Sequence, residues 1–357
     1  MKQVLFAAMI ALVVSITVTP LLISWFARAD IRQRIRENPT GRPPKPATPS
    51  MGGIAILIAL WAGYLGAHLI GASDRPSGIT ASGLLVLGLA TALGFVGFLD
   101  DLLEQRGRRS SALTRIGKAL GQIAAAVVFG VLALRFPDNN GLTPASRHVS
   151  YVRDINTVSF GVVAFLTAVC VVVLAWSNAV KVTDGLDGLA AGSMTFALAA
   201  YVVVTVWQYA NSCAVRPGLG CYDVRDPLDL AVVCASGGAA CMGFLWWNSS
   251  PARITMGDTG AVGLGGMLAG LSITTRTELL SVVVGALYVA EIGSVALQIV
   301  VFRTTRNRLF KMAPFHHHFE LSKWAETAVV VRFWVLSGIA AAFGLALFYG
   351  EYMMMVR

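Results

Sequence analysis

At 357 residues, 56% hydrophobic and only 13% charged, the chain falls outside the soluble globular classes and has the composition of an integral membrane protein. Its formal net charge of +9 does not point to nucleic acid, because the basic residues are spread over short connections between apolar runs and form no recognised binding module.

A transmembrane helix needs ~20 mostly apolar residues. Ten runs qualify, near 4–27, 51–72, 79–99, 115–136, 158–177, 188–210, 228–247, 261–274, 279–302 and 330–350, the eighth being short. The expectation is an all-α, polytopic membrane protein with about ten transmembrane helices in a single domain, 1–357. The first run is too long for a signal-peptide core, has only Lys2 ahead of it and is followed by arginines, so it counts as a span. Alternating the loops places 28–50, 100–118, 178–187, 248–260 and 303–332 on one side, with 19 of the 28 lysines and arginines. The positive-inside rule assigns that side to the cytoplasm and both termini to the outer, periplasmic side. A cationic inner face would hold anionic lipid headgroups or attract a phosphorylated substrate.

In the first inner loop, Pro43, Pro44, Pro46 and Pro49 rule out a continuous helix. The loop is either a stiff basic connector or, through Lys45, Thr48 and Ser50, a cation and two hydroxyls suited to a phosphate. The third span ends in GFLDDLLEQ. Asp100 and Asp101 point in different directions on a helix, so one can bind a cation while the other works as a base. Carboxylates at a helix C-terminus oppose its dipole, a cost that favours a functional role over a solvated helix end. The outer loop 137–156 is polar and carries no cluster readable as chemistry.

The stretch NAVKVTDGLDGLA, 178–190, opens directly from the fifth span. Asp184 and Asp187, three apart, face one way if helical; alternatively they form a polar hairpin in which Asp187 caps the next helix. Cys213 and Cys221 share an outer loop and could form a disulfide on that oxidising side, whereas Cys170, Cys234 and Cys241 lie in spans as packing residues. Asn248 and Asp258 again sit at the inner edge, and Gly257 and Gly260 would allow a ligand or backbone to approach. The GLGG that follows lacks the βαβ context of a dinucleotide fingerprint and reads as helix packing. Glu291, inside the ninth span, must face protein or water, paired with a polar group or marking a break in the helix. Consecutive His316, His317 and His318 project in different directions, which argues against a three-ligand zinc site; they remain a solvated loop or donors to an anionic or amide-rich substrate. The basic segment before them reads as a membrane-surface arm.

Taken in order, ATPSMGG (47–53), FLDD (98–101), NAVKVTDGLDG (178–188), Asn248 with GDTG (257–260) and MAPFHHHFEL (312–321) resemble the phospho-N-acetylmuramoyl-pentapeptide transferases, a branch of the polyprenyl-phosphate N-acetylhexosamine-1-phosphate transferases. The resemblance spans nearly the whole chain, and the histidine stretch points to this branch. It implies ten helices, usually in a homodimer, in the bacterial inner membrane, with a cytoplasm-facing Mg2+ site. There undecaprenyl phosphate attacks the β-phosphate of UDP-MurNAc-pentapeptide, giving lipid I and UMP. Such chemistry needs a divalent cation, a cationic rim and carboxylates.

By the same resemblance Asp258 binds magnesium, Asp100 activates the acceptor and Asp101 supports it. Asn178, Asp184, Asp187 and Asn248 form the nucleotide end, and Lys45, Ser50, Lys118 and His316 to His318 contact phosphate or sugar-peptide. Direct attack by the lipid phosphate is favoured over a covalent aspartyl intermediate. The chain departs from the family pattern with Ala47 for glycine, Ser50 for threonine, Glu104 for lysine, Lys181 for asparagine and Thr255 for phenylalanine. Lys181 would partly restore the cation lost at Glu104, and Thr255 would weaken stacking on the base. Competing readings are the same reaction on UDP-N-acetylglucosamine, a divergent paralogue with an altered nucleoside pocket, a catalytically inactive binding protein, and an ion-coupled transporter, whose site would lie near the midplane.

Overall fold

The computed structural model describes residues 1–29, 48–71, 78–105, 115–138, 141–218 and 221–356. Lys45, most of the first inner loop and residues 106–114 of the second lie outside them. In lipid every backbone N–H and C=O must be satisfied within its own segment, and the apolar runs accordingly form helices. They are α1 (Lys2–Arg28), α2 (Gly53–Gly71), α3 (Ala81–Gln105), α4 (Arg115–Ala133), α5 (Val162–Thr183), α6 (Leu189–Ala210), α7 (Pro227–Asn248), α8 (Gly257–Thr274), α9 (Glu278–Val284), α10 (Ala286–Thr305), α11 (Phe315–Glu320) and α12 (Glu326–Val356). Among the described residues nine of these are long and apolar enough to cross a membrane.

The glycine-rich α8 is not among the nine, but every residue from Thr259 to Thr274 is buried. It packs against α2, α3 and α5, while α1 packs on α2 and α7, and α6 on α7 and α12. Its 18 residues rise about 1.5 Å each, enough to connect the two ends of the bundle. Small residues make the fit possible. A Cβ on Gly53 would lie 2.0 Å from the Gly260 nitrogen, and one on Gly97 would lie 2.2 Å from the Asp258 carbonyl oxygen.

Two sequence expectations are corrected. The predicted ninth span, 279–302, is two helices that break at Gly285, where the Trp176 ring comes within 2.4 Å of a would-be Cβ. The break lies ahead of Glu291, which is fully buried and paired with His316 instead. The fifth span begins at Val162 rather than 158, because β1 (His148–Ser150) and β2 (Asp154–Ser159) form an antiparallel hairpin in what read as a plain polar loop.

Polar contacts fasten this hairpin to the C-terminal end of α8. Arg276 Nη1 lies 3.2 Å from Asp154 Oδ2, and the Arg153 and Arg276 guanidinium groups both lie over the Tyr222 ring. Tyr222 follows a Cys213–Cys221 disulfide. Near the C-terminal end of α2, Asp229 accepts hydrogen bonds from Tyr64 and Thr80 and pairs with His68. The inner-loop motifs gather at the opposite, N-terminal end of α8.

Candidate active site

Asp258 stands in the first turn of α8, where the helix dipole favours an anion. That turn is seated by its neighbours. Asp101 Oδ1 accepts the Asp258 N–H at 3.1 Å, and its Oδ2 accepts the Thr259 N–H at 2.9 Å and the Thr259 hydroxyl at 2.8 Å. Gly257, at φ 72°, brings the backbone so close that a Cβ would sit 2.7 Å from Asp101 Oδ2. Across from it, the Gly52 and Gly53 N–H groups donate to the Thr255 and Met256 carbonyls, and the Thr255 N–H donates to Pro49 O. The Thr255 hydroxyl turns to the same Pro49 carbonyl. Ser50, buried beside this clip, is 6% exposed.

Asp100 meets a different set of partners from Asp101. Its Oδ2 pairs with Lys118 from α4 and lies 3.9 Å from Lys181 Nζ of α5. Its Oδ1 is buried without a hydrogen-bond partner. Lys181 pairs in turn with Asp258 Oδ2. Asp258 is the more open of these two carboxylates, its side chain 22% exposed against 4% for Asp100, and the two lie within hydrogen-bonding reach of each other. Asp184, just past α5, is pushed up to about 8 by burial and then by the Asp258, Asp101 and Asp187 carboxylates, against a hydrogen bond from the Gly257 backbone. The ends of α3 and α5 and the starts of α4 and α8 thus bring Asp100, Asp101, Lys118, Lys181, Asp184 and Asp258 together.

The other candidates stand around this group. Asn178 donates to Leu174 O at 2.7 Å and to Gln122 Oε1 at 3.4 Å. Asp187 Oδ2 accepts the Ala252 N–H. Asn248 spends its whole amide inside the protein, accepting from the Gly188 N–H at 3.1 Å and donating to Ile254 O at 2.8 Å. The histidines diverge. His316 Nδ1 meets Glu291 Oε2 at 3.0 Å, His317 Nδ1 meets Glu320 Oε2 at 2.7 Å, and His318 Nδ1 accepts the Lys311 N–H at 3.2 Å. His316 is wholly buried, and its unpartnered Nε2 lies under Gly185, where a Cβ would come within 2.2 Å. Phe315, Phe319 and Trp324 pack on Leu186, Leu189, Val330 and Phe333, so this arm is docked on the Asp184–Gly188 turn.

A family model described as glycosyl transferase family 4 matches residues 83–276, the stretch that contains α3 to α8. Over 354 residues and 99% of each chain, the sequence is 66% identical to the phospho-N-acetylmuramoyl-pentapeptide-transferase of Nocardia farcinica. It is 62% identical, with the same coverage, to those of Rhodococcus jostii and Rhodococcus opacus. The chain belongs to the phospho-N-acetylmuramoyl-pentapeptide-transferase family.

A phosphoglycosyl transferase of this family handles polyanions, and the donor set can be tested against magnesium. Among the described residues no three histidine, cysteine or carboxylate side chains converge as a ready-made metal cage. Magnesium typically uses one or two carboxylates, with substrate phosphates and water completing its shell. Asp258, its side chain partly exposed, fits that pattern.

Three residues that serve this transferase site escaped the sequence reading. Thr259 holds Asp101, Gln122 meets Asn178, and Gly97 lets α3 touch α8. Gly97 left a signal in lying three residues before Asp100 on the same helix face, and Thr259 in lying within the GDTG motif.

Proposed function

We propose that this chain transfers phospho-MurNAc-pentapeptide from UDP-MurNAc-pentapeptide to undecaprenyl phosphate, giving lipid I and UMP, at a magnesium-dependent site that faces the cytoplasm. The observation that carries the site assignment is the Asp100–Lys118–Lys181–Asp258 cluster at the N-terminal end of α8. A lipid phosphate oxygen bonds to the β-phosphorus as the bond to UMP breaks. Asp100 receives the acceptor's proton, its buried Oδ1 being free to do so. Lys118 and Lys181 neutralise phosphate charge, and Asp101 keeps the first turn of α8 in position. Magnesium held at Asp258 would supply charge neutralisation at the diphosphate.

Asp184, Asp187 and Asn178 form the nucleotide end, with Asn248 fixing the loop behind them. The described part of the phosphate and sugar-peptide side comprises Ser50, His316, His317 and His318, with Glu291 orienting His316; Lys45 completes the set. In the membrane, α8 is the tenth crossing, both termini are periplasmic, the whole chain works as one domain, and two copies associate as a homodimer. Gathering of the carboxylates at one end of α8, away from its middle, supports an enzyme over an ion-coupled transporter.

The test is UMP release by purified protein in detergent, given undecaprenyl phosphate with either UDP-MurNAc-pentapeptide or UDP-N-acetylglucosamine. Release with the pentapeptide substrate is expected. Release with the simpler sugar alone would move the chain to a sister activity, and release with neither would leave a paralogue or binding role.

A further inference from the structure

Lys181 occupies the place in the site where a cation is most needed. Its ammonium pairs with Asp258 Oδ2 and lies 3.9 Å from Asp100 Oδ2. Lys118 already neutralises Asp100. Asp101 is engaged with the backbone of α8 and Asp184 with Gly257. Asp258 therefore has Lys181 as its counter-charge. The lysine springs from the last turn of α5, an end that favours a cation. Its side chain is 33% exposed, and its four-carbon stem can swing without moving the helix.

We propose that Lys181 is a tethered counter-ion, holding Asp258 in the metal-free enzyme and passing to the nucleotide's diphosphate when magnesium takes that carboxylate. The proposal rests on the reading of Asp258 as a magnesium ligand. An ammonium and a divalent cation on the same carboxylate oxygen would repel each other strongly, so one must yield. A lysine freed there stays beside Asp258 and the Asp100–Lys118 pair, where it can meet a diphosphate. Two opposite consequences follow for removing the charge. Magnesium should bind more tightly, having lost a competitor, while the nucleotide should bind less tightly, having lost a cation.

The experiment is calorimetric titration in detergent of MgCl2, and then of UDP at saturating MgCl2, into wild type, Lys181→Met, Lys181→Arg and Asp258→Ala. Lys181→Met is expected to gain about tenfold in magnesium affinity and to lose about tenfold in UDP affinity, with Lys181→Arg close to wild type. Amine-reactive labelling of Lys181 in the wild type should also rise on adding MgCl2 and fall again with UDP. Magnesium affinity unchanged or weakened in Lys181→Met, with Asp258→Ala still unable to bind, would overturn the tethered counter-ion and leave the metal reading standing. Equal magnesium binding by wild type and Asp258→Ala, or none by either, would remove the metal reading and the proposal together.

Discussion

Asp100 and Asp101 are adjacent in sequence and have different tasks. Asp101 accepts three hydrogen bonds from Asp258 and Thr259 and so seats the first turn of α8, whereas Asp100 keeps a buried oxygen without a partner. Asp101→Ala should therefore lower stability by about 3 kcal/mol, since it leaves buried donors unpaired. Asp258→Ala should abolish turnover with a much smaller shift in melting temperature. Thermal unfolding in detergent separates the two, and an Asp101→Ala protein that melts no earlier than Asp258→Ala would refute the division of labour. The sequence located both aspartates but could not assign these tasks, which depend on a backbone turn more than 150 residues away. Asn248 shows the same limit: its position marks the end of α7 beside the site, yet its amide is consumed by Gly188 and Ile254. Lys181 pairs with Asp258, and Glu104 is exposed near the end of α3.

Between elements, the spacing of α3 and α8 controls the distance from Asp100 to Asp258. Gly97→Ala places a methyl 2.2 Å from the Asp258 carbonyl oxygen, so the helices must part. A displacement near 1 Å typically costs about 100-fold in rate. Gly88→Ala, on the same helix with open space around it, should keep its activity and gain up to about 1 kcal/mol. Comparable activity in both variants would contradict the close-packed arrangement. At the other end of α8, burial and then the Asp154 carboxylate push Glu278 from its ordinary 4.5 up to about 8. An acid whose pKa rises on folding stabilises the fold below its unfolded value and loses that contribution as pH climbs through the folded one. The melting temperature should thus decline between pH 5.5 and 8.5, and Glu278→Gln should flatten the decline; an unchanged slope would exclude Glu278 as its source. Hydrophobic runs made the long helices legible. The hairpin and the break at Gly285 were not, because the hairpin depends on contacts with Arg276 and Tyr222, and the break admits Trp176 from a distant helix.

For the whole molecule, composition alone marked a multi-pass membrane protein, and family membership makes it a phosphoglycosyl transferase. Asp100, Lys118, Lys181, Asp184 and Asp258 come from four different helices or their ends yet form one cluster, and all but Lys118 lie in the ordered motifs. A magnesium ion held at Asp258, as proposed, would find few further ligands on the protein. Among the described residues no three such ligands converge, and substrate phosphates and water would complete its shell. The central claim is that Asp258 and a divalent cation together drive transfer at this cluster. Its most direct test is UMP release from UDP-MurNAc-pentapeptide and undecaprenyl phosphate by wild type and folded Asp258→Ala, each with MgCl2 and with excess EDTA. Turnover is expected only in wild type with MgCl2, restored when magnesium is returned after chelation. Release that persists in EDTA, or in Asp258→Ala, would contradict it.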